Sequence, residues 1–161
     1  MLPVNYWMHL YHFKRNYSYI RPFFIKEEKI LDEIKRSNTT HQWMIFTDSK
    51  KDGLEMQIRL NSEFGDDCCR FYDAEAKYDE RAEDVNEMIK SEEVQNRVTI
   101  LTSAFDVGIN IKQKNISVAI SPNCEVEFLQ EIGRKRVSKN EIVEVFILIP
   151  SKTKSIHELT Q

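Results

Sequence analysis

The stretch WMIFTDSKKDGLEMQIRLNSEF, residues 43–64, decides the fold. Trp43 to Thr47 is a short apolar run rich in bulky and β-branched side chains, the pattern of a strand covered on both faces. Asp48 and Ser49 follow, and either side chain can cap a helix start. From Lys50 onward the apolar residues recur at helical spacing, which puts Leu54, Ile58 and Leu60 or Phe64 on the expected inward face. Strand, capped turn and helix in this order form the repeating unit of a parallel sheet.

The same alternation runs through the rest of the chain. CCRFY (68–72), VTILT (98–102), ISVAI (116–120) and IVEVFILI (142–149) read as further strands. KEEKILDEIKR (26–36) places Ile30, Leu31 and Ile34 inward on an earlier helix. DERAEDVNEMIKSEE (79–93) carries a narrow stripe of Val85, Met88 and Ile89, and NCEVEFLQEIGRK (123–135) carries Val126, Leu129 and Ile132 at helical spacing. The expectation is an α/β fold with a mainly parallel sheet of five or more strands joined by right-handed crossovers. Ligands of such sheets sit at the carboxyl ends of the strands, so Asp48, Ser49, Asp73, residues 103–110 and residues 121–123 are the positions to inspect.

Composition bounds the class. The chain has 161 residues, 30% of them charged and 41% hydrophobic, enough for one ordinary domain with its own core. No apolar run is long enough to cross a membrane and no signal-peptide layout opens the chain, so a cytoplasmic protein with no membrane partner is expected. Cys68, Cys69 and Cys124 form no C-x-x-C pair, which points to reduced thiols rather than a disulfide framework or zinc site. His9 and His12 have no further ligand nearby, and no metal site is expected. The net charge of −3 lacks the basic excess of a domain that binds nucleic acid by itself, so any such contact is expected to be local and shared with another domain.

Residues 1–25 differ from the remainder and are set apart as an aromatic and basic arm or interdomain linker, leaving 26–161 as the α/β domain. The arm holds Tyr6, Trp7, Tyr11, Phe13, Tyr17, Tyr19, Phe23 and Phe24 with Lys14, Arg15 and Arg21, and no acid precedes Glu27. Rings interleaved with bases can stack on a single nucleic-acid strand. The commoner role of such rings is buried mass, which favours packing on this domain or on a neighbour.

The spacing of several short motifs resembles the second motor domain, the RecA-like helicase C-terminal domain, of superfamily 2 helicases. Thr102 closes a strand and is followed by Gly108, Ile109 and Asn110, as in the family's fifth motif. FLQEIGRKR (128–136) supplies Gln130, Gly133 and Arg134 of its sixth. WMIFTDSKKDGLEM resembles the fourth, and Asp73, Arg81 and Met88 fit a weaker element between them. The order and spacing hold from Trp43 to about Arg136. The sequence departs from the pattern at Val137, where the terminal arginine falls one place early on Arg136, at Glu131, and at Asn110, where many relatives have Asp.

The resemblance implies a three-layer RecA-like fold of the P-loop NTPase type and a set of roles. Arg134 would act as an arginine finger toward a γ-phosphate held by another domain, with Gln130 orienting water or phosphate and Arg136 as a further cation. Gly108, Asn110 and Gly133 would border the nucleotide. Thr47, Ser49, Thr102 and Ser103 would contact the backbone of DNA or RNA, with no sequence preference. Taken alone, Ser49 is as well explained by helix capping, and Arg134 to Arg136 by a solvated cationic helix end.

No G-x-x-x-x-G-K-[ST] occurs, so no loop of this chain can cradle a triphosphate. DERA at Asp79 lacks the preceding apolar strand of a magnesium site and reads as a charged helix start. ATP and Mg would be held mainly by an N-terminal RecA-like domain of the same parent protein, and this chain alone is expected to bind neither and to be inactive. Two origins are compatible with this: a piece of a longer motor, or a stand-alone remnant serving as a non-catalytic interaction module on the same scaffold. A Rossmann-type small-molecule enzyme fails for want of a Gly-rich turn after a strand.

Overall fold

A computed structural model describes residues 20–102, 104–105, 111–121 and 142–150. Six strands form one all-parallel sheet: β1 (Ile20–Lys26), β2 (Gln42–Thr47), β3 (Cys69–Tyr72), β4 (Val98–Thr102), β5 (Ile116–Ile120) and β6 (Val143–Ile149). Their order across the sheet is β1-β6-β5-β2-β4-β3. Three described helices join them: α1 (Ile30–Arg36), entered through a 3-10 turn at Glu27–Lys29, α2 (Lys50–Phe64) and α3 (Ala82–Ser91). The helical pattern over residues 123–135 lies outside the described residues.

Chain direction decides which face each helix covers. The steps from β1 to β2 and from β2 to β3 run toward the β3 edge, and the step from β3 to β4 runs back. Right-handed crossovers send opposite steps to opposite faces. Accordingly Ile30, Ile34 and Leu60 of α1 and α2 pack on Trp43, Ile45, Phe71, Val98, Ile100, Ala119 and Phe146. Val85 and Met88 of α3 pack on the other face, with Met44, Phe46, Tyr72, Leu101, Val118 and Val145. The two sets alternate along each strand, as the pleat requires.

A sixth strand, β1, was not among the segments read as strands. It pairs with β6 from Ile20↔Val143 to Lys26↔Ile149, so the sheet takes in residues 20–25 of the segment set apart as an arm. Pro22 and the flanking bases hide it in the sequence, and they are tolerated because β1 lies at an edge. Phe23 stacks on Phe146 at 5.0 Å between ring centroids, and Phe146 meets Trp43 at 5.1 Å across β5. The small residues Ser117 and Ala119 of β5 leave room for that contact. For Phe23, packing on this domain is the outcome.

The inward face of α2 differs from the expected one. Leu60 is fully buried with Gly53, whereas Leu54 is 41% and Ile58 68% exposed. Gly53 lets the helix lie against the Phe71 ring: a Cβ there would sit 2.8 Å from Phe71 Cδ2 and closer still to Cε2. This close approach rotates the Gly53–Leu60 line inward and turns Ile58 out. On α3, Val85 and Met88 are buried as expected, but Ile89 is 38% exposed. Ile30 and Ile34 of α1 are buried and Leu31 packs beside them.

The free edge of β3 is closed by side chains. Asn61 of α2 accepts from the Cys69 N–H at 2.8 Å and donates to the Cys69 carbonyl at 3.2 Å, imitating a neighbouring strand. Arg81 donates to the Phe71 carbonyl at 3.0 Å. Polar groups that would otherwise invite another strand are thereby satisfied. Cys68 and Cys69 are free thiols, Cys69 buried and Cys68 half-buried, and burial pushes both thiols up.

Gly53→Ala separates packing from propensity. An alanine gains about 1 kcal/mol of helix propensity, but pushing a methyl into the buried Phe71 ring costs about 1–3 kcal/mol. The variant is expected to unfold at lower denaturant concentration, and an unchanged or raised midpoint would show that the Phe71 contact does not hold α2.

Candidate functional site

The candidate site lies at the carboxyl ends of the strands, and the register of the sheet builds it. β2 and β4 pair in phase from Trp43↔Val98 to Thr47↔Thr102, so the two threonines finish neighbouring strands at the same level. Thr47 is 8% exposed and Thr102 4% exposed. Thr47 Oγ1 accepts from the Ser49 N–H at 3.2 Å, which turns the chain out of the strand. Ser49 Oγ accepts from the Asp52 N–H at 3.1 Å and caps α2. Ser49 thus does the capping work its sequence position suggested. Both hydroxyls act as acceptors in these bonds and keep a proton with which to donate.

Thr102 Oγ1 is enclosed and has no hydrogen-bond partner among the described residues. A buried hydroxyl left so costs about 1–3 kcal/mol. The Thr102 carbonyl accepts from the Phe105 N–H at 3.0 Å, and Phe105 is buried beside Tyr72. The Ser121 N–H donates to the Phe46 carbonyl at 3.1 Å, which ties the end of β5 to the end of β2. The fold therefore brings Thr47, Ser49 and Thr102 together. Ser103, Gly108, Asn110, Gln130, Gly133, Arg134 and Arg136 lie outside the described residues, as do the His9–His12 pair and Cys124.

Beside these hydroxyls stands an ionic frame that sequence spacing hinted at without assigning a role. Asp73, the first residue after β3, is 5% exposed. Arg81 Nη2 donates to Asp73 Oδ1 at 2.8 Å, and Lys50 Nζ, at the start of α2, lies 2.9 Å from Asp73 Oδ2. Lys50 also reaches Glu75 at 3.3 Å, and Arg81 binds Asp79 through both Nε and Nη2. One buried carboxylate thus joins the carboxyl end of β3, the start of α2 and the approach to α3. DERA at Asp79 forms the charged helix start expected of it.

Burial alone would raise the Asp73 carboxyl, but the close Lys50 ammonium and the Arg81 guanidinium outweigh it and hold the group below its ordinary 3.8. The Arg81 hydrogen bond draws Asp79 down to about 2. Lys50 is raised, first through its bond to Asp73, and Arg81 is raised, first through its bond to Asp79. Between α2 and the start of α3 a cleft of about 510 Å³ opens, lined in part by Lys50, Leu54, Gln57, Phe71, Arg81 and Asp84. Leu54, expected in the core, faces this cleft. The signal for the frame was the acid just after a strand and the base entering the next helix, but no spacing names Lys50 as the third member.

Comparison with solved structures finds the same architecture in "Mss116p DEAD-box helicase domain 2 bound to an RNA duplex". The two superpose with a TM-score of 0.59 at 16% sequence identity, over 82% of this chain and 54% of that one. This chain thus spans about half the length of that neighbour. No family model and no curated protein matches the sequence. The fold is RecA-like. Among the described residues no helix is long and apolar enough to cross a membrane, and no group of His, Cys, Asp and Glu is gathered as metal ligands.

The frame has a measurable pH signature. Because the folded carboxyl of Asp73 sits below its ordinary value, its contribution to stability is present at neutral pH and fades as pH falls through the folded value. Asp73→Asn leaves Arg81 and Lys50 short of a buried acceptor and should cost about 1–3 kcal/mol at pH 7. Urea titrations of both proteins should show that gap narrowing below about pH 4. A gap independent of pH would mean that shape, not charge, carries the effect.

Proposed function

We propose that this domain is the C-terminal motor half of an ATP-dependent nucleic-acid helicase or translocase. The observation that carries the reading is the in-phase pair Thr47 and Thr102 at the carboxyl ends of β2 and β4, set beside the capped start of α2 on a RecA-like sheet. Short hydroxyls such as those of Thr47 and Ser49, with backbone N–H groups at such strand ends, suit the phosphates of a nucleic-acid strand. A solved neighbour of this fold is a helicase domain bound to an RNA duplex, which supports nucleic acid as the partner class here. Thr47, Ser49, Thr102 and Ser103 would contact the strand through its backbone, in DNA or RNA.

ATP and Mg would be held mainly by an N-terminal RecA-like domain that carries a P-loop. This chain would supply Arg134 as the finger that stabilises charge on the γ-phosphate oxygens in the transition state, with Arg136 beside it and Gln130 orienting the attacking water. Gly108, Asn110 and Gly133 would form the nucleotide-facing rim. Alone, the chain should bind ATP weakly and not turn it over.

A second reading, a non-catalytic interaction module on this scaffold, is favoured by Glu131 and Val137, where the helicase pattern has arginines, and by the net charge of −3. ATP turnover of the complete polypeptide to which the domain belongs separates the two. On the motor reading, single-stranded nucleic acid stimulates turnover and Arg134→Ala lowers it by about a hundredfold or more. Unchanged turnover in Arg134→Ala, or none in the native protein, would leave the interaction reading.

A further inference from the structure

Tyr78 is the most exposed large hydrophobic side chain among the described residues, at 80%. It stands on the loop between β3 and α3, and that loop is built rather than slack. Glu75 N–H donates to Asp73 Oδ1 at 3.2 Å, and Ala76 N–H to the Asp73 carbonyl at 3.1 Å. Tyr78 N–H donates to the Glu75 carbonyl at 2.8 Å, and Arg81 N–H to Asp79 Oδ1 at 2.9 Å. Ala76 is fully buried and anchors the loop in the core. The Asp73, Lys50 and Arg81 ion pairs tie the base of the loop to α2. A rigid frame thus presents a phenol ring to solvent with little ordering left to lose on binding, the usual arrangement of an aromatic anchor.

Position and charge indicate what the ring meets. The loop leaves the carboxyl end of β3, the same end of the sheet at which Thr47, Ser49 and Thr102 gather. β3 lies two strand spacings from β2, about 10 Å away, a distance a short single strand covers. Lys77 Nζ sits 5.2 Å from the centre of the Tyr78 ring, a cation beside one face that is also placed to meet a phosphate. Glu75 and Asp79 are drawn into pairs with Lys50 and Arg81, which also serve Asp73, and Glu80 is exposed, so the attraction for a strand at this acidic loop comes from Lys77 and the ring face.

We propose that Tyr78 is a stacking platform for an unpaired base of a bound single strand, with Lys77 meeting the adjoining phosphate. The proposal rests on the nucleic-acid reading above and adds to its backbone contacts a base contact that tolerates any sequence, since every base has a π-face. Held between backbone contacts at β2 and β4 and a ring at the β3 edge, a strand would cross the carboxyl end of the sheet in a fixed path.

Fluorescence anisotropy of this chain with a labelled single-stranded oligonucleotide of about 12 nucleotides, in low salt, tests the idea. Tyr78→Ala should weaken binding by about five- to a hundredfold, while Tyr78→Trp keeps it. Lys77→Gln should flatten the salt dependence instead. With an abasic oligonucleotide of the same length, native protein and Tyr78→Ala should bind alike, a result that a merely structural Tyr78 would not give. Equal affinity of native and Tyr78→Ala proteins for the base-bearing strand overturns the proposal and leaves the motor reading standing. If the native chain binds no oligonucleotide, the nucleic-acid reading fails at this surface and the stacking role falls with it.

Discussion

The in-phase pairing of β2 with β4 is the constraint on which the rest of the molecule depends. It runs without a bulge from Trp43↔Val98 to Thr47↔Thr102. A slip by one residue would exchange the two faces of the strand and turn Met44 and Phe46 away from α3. It would also end the two strands at different heights, separating the hydroxyls that define the candidate site. Because both faces of the sheet are covered, register is fixed by burial on each side, and the site inherits its geometry from the core. The amino end is fixed in the same way: Arg97 Nη2 donates to the Ile34 carbonyl at 2.8 Å and its guanidinium lies over Phe64, tying α1 to the entry of β4.

A second layer of control sits at the β3 edge. Asn61 occupies the backbone of Cys69, Arg81 occupies the carbonyl of Phe71, and the same Arg81 holds Asp73. One guanidinium therefore closes a sheet edge and sets the loop that follows it. Charge here serves position: the Arg81 pairs with Asp73 and Asp79 are enclosed enough to fix geometry, and Lys50 reaches Asp73 from the exposed start of α2. The loop that carries Tyr78 is tied down by hydrogen bonds and ion pairs at both of its ends.

Much of this was legible in the sequence, and the parts that were not share a cause. Apolar runs such as VTILT announced buried parallel strands because both faces carry hydrophobic side chains. Ser49 announced a cap, and the structure has one. β1 escaped because Pro22 and its basic neighbours disguise an edge strand. The inward face of α2 was misassigned because glycine carries no hydrophobic signal, yet Gly53 touches Phe71 where a larger residue could not. Asp73 and Arg81 were visible as a spacing, but that Lys50 joins them depends on the tertiary approach of α2 to β3. Local pattern reports what a residue buries; it does not report which distant group it meets.

The measurement that bears most directly on this account is a backbone amide NMR titration of the chain with a short single-stranded oligonucleotide. The account predicts that the largest shifts cluster at Thr47, Ser49, Thr102 and the loop around Tyr78, at one end of the sheet. Shifts confined to the opposite end, around Gln42, Arg97 and Ile116, or no shifts at a concentration that saturates other single-strand binders, would contradict it.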